Sequence, residues 1–233
     1  MAPTTNVASD SDALVRFAKR VSHDINNFST VVLTYSELLL SDIPDADPIH
    51  ADVAEIHRAA DATVRYLQRV TQFSRVGSMR RMPTAVDDGL VDATAVLAAE
   101  QGDRPVQLFL GGGRIHADSK WWRDVVIELL RNAHEAAPAG STIVVRSAVD
   151  GDTVTVDVED DGAGIPDDLL ETVTEPFVTS KQGVSGAGIG LAMADMFMRT
   201  LGGSIHFTRI DGAAAGTRRT RVRAVLPADT TAS

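Results

Sequence analysis

The sequence predicts an α+β protein: an N-terminal helical hairpin followed by an α/β sandwich. Three observations predict it. Apolar residues recur in steps of four and three along two successive segments before residue 74. Alternating apolar and polar residues then mark short strands at 141–149, 152–160, 204–210 and 220–227. Helical patterns at 87–100, 118–137 and 188–201 are interleaved with them.

The hairpin covers residues 10–78. Its first helix carries Leu14, Ala18, Val21, Ile25, Phe28, Val32, Tyr35 and Leu39, a heptad seam over about four heptads. Ser11 or Asp12 caps its start. The run SDIPDADP at 41–48 breaks it with two prolines and three aspartates. A second helical pattern follows, with Val53, Ile56, Ala60, Val64, Leu67, Val70 and Phe73, ending near Gly77. One hairpin has a single pair of faces to bury. Two hairpins joined in a four-helix bundle cover both seams, so a homodimer is expected.

Residues 79–81 read as a linker and 82–228 as the second domain. Short strands are expected at 105–110 and 114–117, and a strong helix at 118–137. Asp150-Gly151 is a hairpin-turn dipeptide between two alternating segments. A Gly-rich stretch occupies 161–190. Helices beside a mostly antiparallel run of strands make an α/β sandwich. Residues 1–9 and 229–233 read as disordered tails.

Composition limits the function classes. The 233 residues hold 22 Lys+Arg and 32 Asp+Glu, so the formal charge is 22 − 32 = −10. That sign disfavours nucleic acid or an anionic lipid surface as a partner. The absence of cysteine excludes a disulfide scaffold, a Cys-zinc site and a thiol nucleophile. No apolar run approaches the roughly 20 residues of a membrane span. The polar start MAPTTNVASDSD is not a secretory signal. A soluble, cytoplasmic protein is expected.

The chemistry of the hairpin converges on His23. It lies midway between Val21 and Ile25, and at about 100° per residue this places it opposite the apolar seam, toward solvent. A lone exposed histidine is most often an ordinary surface residue. The run His23-Asp24-Ile25-Asn26-Asn27 adds a neighbouring carboxylate and, one turn on, an amide. A carboxylate that orients an imidazole and accepts its proton makes the other ring nitrogen a nucleophile. Thr30 and Thr34 continue a small, polar stripe on which another protein can dock.

The segment VSHDINNFSTVVLTYSELLL resembles the phosphoacceptor box of two-component sensor histidine kinases, most closely the subgroup whose box reads His-Asp-Phe-Asn-Asn. The resemblance implies that His23 is phosphorylated, that Asp24 is the general base and that Asn27 positions water for dephosphorylation. Ile25 stands where that subgroup has Phe, a swap that leaves the chemistry untouched.

Four further motifs follow in order. Glu128, Asn132 and Glu135 form a polar stripe at i, i+4, i+7 on a helix that is otherwise apolar. Oxygen ligands on one face suit Mg²⁺, although a solvated helix face gives the same pattern. Asp160-Asp161-Gly162-Ala163-Gly164 follows a strand, where an aspartate can accept an exocyclic amine and glycines admit close backbone approach. A plain Asp-Gly turn reads the same way. Glu175-Pro176-Phe177-Val178-Thr179-Ser180-Lys181 lies on a loop read as mobile. Gly186, Gly188 and Gly190 alternate into a helix start, a phosphate-binding arrangement that is weak evidence alone. No Walker lysine follows.

Together the four resemble the N, G1, F and G2 boxes of the ATPase domain that histidine kinases share with DNA gyrase, Hsp90 and MutL. The resemblance implies that ATP and Mg²⁺ are bound, with Asn132 on the metal and Asp160 on the adenine amine. Gly162 and Gly164 would shape the adenine pocket. Thr179, Lys181, Gly186, Gly188 and Gly190 would lie along the phosphates, and Glu128 matches a residue that polarises water or the nucleophile in the wider superfamily. One departure stands out: Arg219 replaces the glycine of the Gly-Thr that leads into the last strand, and is expected to alter a β-turn only.

The function expected is an ATP-dependent protein-histidine kinase. It would autophosphorylate His23 and pass the phosphoryl group to an aspartate of a response-regulator receiver domain, with phosphatase activity toward that regulator a further option. A non-enzymatic alternative is a dimeric histidine phosphotransfer module with a degenerate ATP domain, although such a module would have lost the glycines and the asparagine present here. A gyrase- or Hsp90-like clamp is opposed by the His-Asp-x-x-Asn run. The first ten residues are too few to sense a stimulus, so either an adaptor-controlled kinase or an excised core is expected.

Overall fold

The structure is a computed structural model. It describes residues 7–73, 80–102, 104–162, 164–166, 169–176, 178, 188–211 and 218–230. The chain is α+β and divides into two compact units, one built on the helical hairpin and one on the sheet. Among the described residues no helix is long and apolar enough to cross a membrane.

The hairpin unit is α1 (Val7–Asp42) and α2 (Pro48–Phe73). α1 therefore starts three residues inside the stretch read as a disordered tail. Asp47 caps α2 by accepting the Ile49 N–H at 2.9 Å, with Pro48 at the first helical position, where a missing N–H costs nothing. The seam read from the heptad spacing is not the face that α1 turns to α2. Phe28 is 71% exposed and Tyr35 65%, with Val32 and Leu39 also exposed. Small polar residues are buried instead: Ser29 and Ser36, one heptad apart, with Ser36 Oγ 2.9 Å from His57 Nδ1 of α2. Periodicity locates an apolar stripe, but it does not say which neighbour covers it. Serines let two helix backbones approach closely.

The second unit contains β1 (Met82–Ala85), α3 (Val86–Gln101), β2 (Val106–Phe109), β3 (Arg114–Ala117), α4 (Ser119–Ala136), β4 (Ile143–Asp150), β5 (Thr153–Asp160), α5 (Gly190–Thr200), β6 (Ser204–Asp211) and β7 (Arg218–Pro227). Five strands form one sheet in the order β2-β4-β5-β7-β6, and β1 pairs with β3 in a separate ribbon. Among the described residues only the β2–β4 pair is parallel. β1 was not read from sequence: four residues, one of them proline, carry little period-two signal.

The sheet's inner face and the helices share one core. Val154, Val156 and Val158 of β5 and Val222, Ala224 and Leu226 of β7 meet Leu129 and Leu130 of α4 and Phe197 of α5. Trp122 sits at its centre, fully buried, with its indole N–H donating to the Val86 carbonyl at 3.0 Å. Asp118 caps α4 by accepting the Lys120 and Trp121 amides at 3.1 and 3.2 Å. The outer face is ionic. Asp157 and Glu159 alternate with the buried valines of β5 and pair with Arg223 and Arg221 of β7, each at 2.7 Å.

Candidate functional site

α4 is the spine of the site. Glu128, Asn132 and Ala136 recur every four residues and so share one face. Two glycines abut that face. A Cβ on Gly190, the first residue of α5, would lie 2.5 Å from Glu128 Oε2. A Cβ on Gly162 would lie 2.7 Å from the Ala136 carbonyl oxygen and 2.5 Å from Asp160 Oδ1. The fold thus brings Glu128, Asn132, Asp160, Gly162 and Gly190 onto one helix face, from segments 62 residues apart in sequence.

Asp160 is 3% exposed, and its Oδ1 accepts the Gly162 N–H at 2.8 Å. This bond turns the chain sharply after β5 and fixes the carboxylate. Gly164 has φ +82° and Gly188 φ +64°, left-handed conformations that favour glycine. A Cβ on Gly164 would meet Arg209 Nε at 3.3 Å and Thr220 Oγ1 at 3.5 Å.

Glu128 is 8% exposed and bonded to Arg131 Nη1 at 2.6 Å, while Arg131 Nη2 reaches Glu100 of α3 at 2.8 Å. Burial by itself would lower the Arg131 pKa, but the Glu128 and Glu100 carboxylates outweigh it and hold the guanidinium above its ordinary value. The Asn132 amide nitrogen is buried with no hydrogen-bond partner among the described residues. A buried orphan amide at this position is suited to a ligand's polar atoms. Among the described residues no cluster of three His, Asp or Glu could hold a metal by itself. An asparagine oxygen still suits Mg²⁺ delivered on phosphates, since that ion keeps few protein ligands.

His134 follows two residues later. Burial lowers its pKa below the ordinary 6.5, and Arg104 adds to this, opposed by Glu135.

Arg219 corrects the sequence reading. It lies within β7, paired with Ile210 of β6, and not in a turn. Its Nε donates to Asp161 Oδ1 at 2.6 Å. That bond, opposed by burial and reinforced by the Asp161, Glu159 and Asp160 charges, raises its pKa. Arg131, Arg209, Arg221 and Arg223 were not singled out from sequence. The alternation of Arg219, Arg221 and Arg223 against Asp157, Glu159 and Asp161 was the available signal.

In the hairpin unit, His23 falls in α1, with its side chain outside the described set. Asp24 and Asn27 are exposed, as are Thr30 and Thr34. The hydroxyls of Thr30 and Thr34 turn back onto the carbonyls of Asn26 and Thr30 at 2.8 and 2.9 Å. Thr179, Lys181 and Gly186 lie outside the described residues.

Comparison with known proteins agrees with this arrangement. Residues 117–230 match the family described as histidine kinase-, DNA gyrase B- and HSP90-like ATPase. The sensor kinase CckA of Brucella abortus is 32% identical over 213 residues, covering 83% of this chain and 22% of that protein. The sensory histidine kinase/phosphatase NtrB of Rhodobacter capsulatus is 27% identical over 245 residues, covering 95% of this chain and 64% of its own. The chain thus spans less than two thirds of these relatives. Among solved structures, full-length ShkA in complex with AMPPNP superposes with a TM-score of 0.69 at 20% identity, over 94% of this chain and 47% of that one. The mycobacterial sensor histidine kinase MprB gives 0.57 at 24% identity, over 64% of this chain and 97% of that one. Both show a shared fold. Residues 117–230 are therefore similar to the ATPase domain shared by histidine kinases, DNA gyrase B and HSP90, and the curated relatives that match across most of this chain are sensor histidine kinases.

Proposed function

We propose that the chain is an ATP-dependent protein-histidine kinase. ATP binds along the α4 face, with adenine at Asp160 and Gly162 and the phosphates toward Gly188 and Gly190. Asn132 would hold Mg²⁺, which when bound neutralises phosphate charge. Thr179, Lys181 and Gly186 complete the phosphate site by the family resemblance. A His23 ring nitrogen attacks the γ-phosphorus, the bond from that phosphorus to the β,γ-bridging oxygen breaks, and ADP leaves. Asp24 takes the imidazole proton. The phosphoryl group then passes to an aspartate of a response-regulator receiver domain. Asn27 positions water when the chain acts as a phosphatase of that regulator.

The observation that carries this reading is the coexistence, in one chain, of a His-Asp-x-x-Asn run on an α1 with exposed Asp24 and Asn27 and an ATPase domain with a buried Asp160–Gly162 turn. Glu128 is assigned a supporting role, since Arg131 already holds its carboxylate. Dimerisation through α1 is supported by the exposed stripe of Phe28, Val32, Tyr35 and Leu39, which a second hairpin would cover. An ATP-dependent kinase without cysteine suits the cytoplasm. The test is incubation with [γ-³²P]ATP and Mg²⁺. Acid-labile label is expected on the wild type and none on His23→Ala. Label that persists on His23→Ala would refute the assignment of His23.

A further inference from the structure

Three consecutive acids, Glu159, Asp160 and Asp161, close β5 beside the proposed nucleotide site. A polyanion binding there would face their combined negative field unless something local offsets it. Across the sheet, Asp160 of β5 pairs with Thr220 of β7, which pairs with Arg209 of β6. Side chains alternate along a strand, so these three share the inner face. Arg219, one residue before Thr220, lies on the outer face, where Asp161 follows Glu159 out of the strand.

We infer that Arg209 and Arg219 are positioning residues of the nucleotide site, holding Ile165 and Asp161, on either side of Gly162 and Gly164, from the two faces of the sheet. The inference deepens the ATP reading above and rests on it. Arg219 Nε holds the Asp161 carboxylate at 2.6 Å, and its Nη1 lies 3.7 Å from Glu159. Arg209 Nη2 donates to the Ile165 carbonyl at 2.7 Å, and its Nε borders Gly164. One arginine grips Asp161 and the other Ile165. Between them Gly162 is pressed against Ala136 of α4. Arg219 also neutralises Asp161 and leaves Asp160 as the carboxylate that faces the inner side. Where the family pattern has glycine, this chain has a cation that does both.

The experiment compares wild type with Arg219→Gln, Asp161→Asn, the double variant and Arg223→Gln. ATP binding is measured by calorimetry, and KM and kcat by autophosphorylation, on protein checked by thermal unfolding. Arg223 makes the same kind of ion pair, two bonds of 2.7 Å to Asp157, but away from the turn. Arg219→Gln is expected to weaken ATP binding about three- to tenfold, with KM rising in step and kcat at saturation retained. The loss should shrink at high salt. Arg223→Gln should leave ATP affinity unchanged, and the double variant should lose no more than Arg219→Gln alone. Wild-type affinity in Arg219→Gln, or an equal loss in Arg223→Gln, overturns the inference and leaves the kinase reading standing. A wild type that binds no ATP overturns both.

Discussion

Gly162→Ala tests the site where its packing is tightest. The added methyl carbon would sit 2.5 Å from Asp160 Oδ1, 2.7 Å from the Ala136 carbonyl oxygen and 2.8 Å from Ala136 Cβ. Non-bonded carbon contacts settle near roughly 3.5–4.0 Å, so about 1 Å must be found on two flanks at once. One flank is backbone at the end of α4. The other is a short, buried carboxylate already bonded to the Gly162 N–H at 2.8 Å. Overpacking of this kind costs about 1–3 kcal/mol. Losing the charge-assisted bond adds about 1.5–3 kcal/mol. A total of about 2.5–6 kcal/mol is therefore expected, divided between folding and ATP binding. Urea unfolding should show a lower midpoint at an unchanged slope, and an ATP titration at least a tenfold weaker affinity, about 1.4 kcal/mol. Gly102→Ala is the control: φ is +82° with no atom within 4 Å, so it reads backbone strain alone. Wild-type stability and affinity in Gly162→Ala would refute the claim that contact with α4 fixes this turn.

Three other perturbations are independent of the first. Trp122→Phe keeps most of the buried ring but removes the indole N–H bond to the Val86 carbonyl, so urea unfolding should show a loss of about 0.5–1.5 kcal/mol; an unchanged midpoint would mean that the bond contributes nothing. His134 has a folded pKa below its unfolded value of 6.5, so the unfolded chain binds the proton first. The stability it contributes is complete above about 6.5 and is lost as pH falls through its folded pKa. His134→Gln should flatten the pH dependence of the unfolding midpoint over that range, and an unaltered slope would count against it. Phe28→Glu with Tyr35→Glu places charge on the exposed stripe of α1. Sedimentation should show dimer converted to monomer with helicity retained, because neither side chain is buried within one hairpin; a dimer that survives would move the interface elsewhere.

Residue pattern made much of this molecule legible. The α4 stripe, the Asp-Gly turn and the glycines leading into α5 were recognisable as motifs for close backbone approach to a ligand; that Gly162 and Gly190 also lie close against α4 was not read from sequence. The strands β4, β5, β6 and β7 announced themselves through alternation over eight or more residues. One reading failed, and another was incomplete. The α1 seam is apolar as read, but which face meets α2 within one hairpin depends on how closely Ser29 and Ser36 let α2 approach. Arg219 occupies a position where a turn glycine was expected, and only pairing with Ile210 shows it to be strand.

By itself the sequence determined the local requirements: where the helices and the longer strands lie, where glycine is needed, and that an imidazole, a carboxylate and an amide share one run at 23–27. These depend on periods of 3.6 and 2 and on near-neighbour sterics, which a linear pattern encodes. Tertiary structure decided the pairings. Arg131 donates to both Glu128 of its own helix and Glu100 of α3, and Asp161 belongs to Arg219 across 58 residues. A period in the charges marks candidates but does not name partners, which are assigned only when the sheet register and the helix packing set them a few ångströms apart.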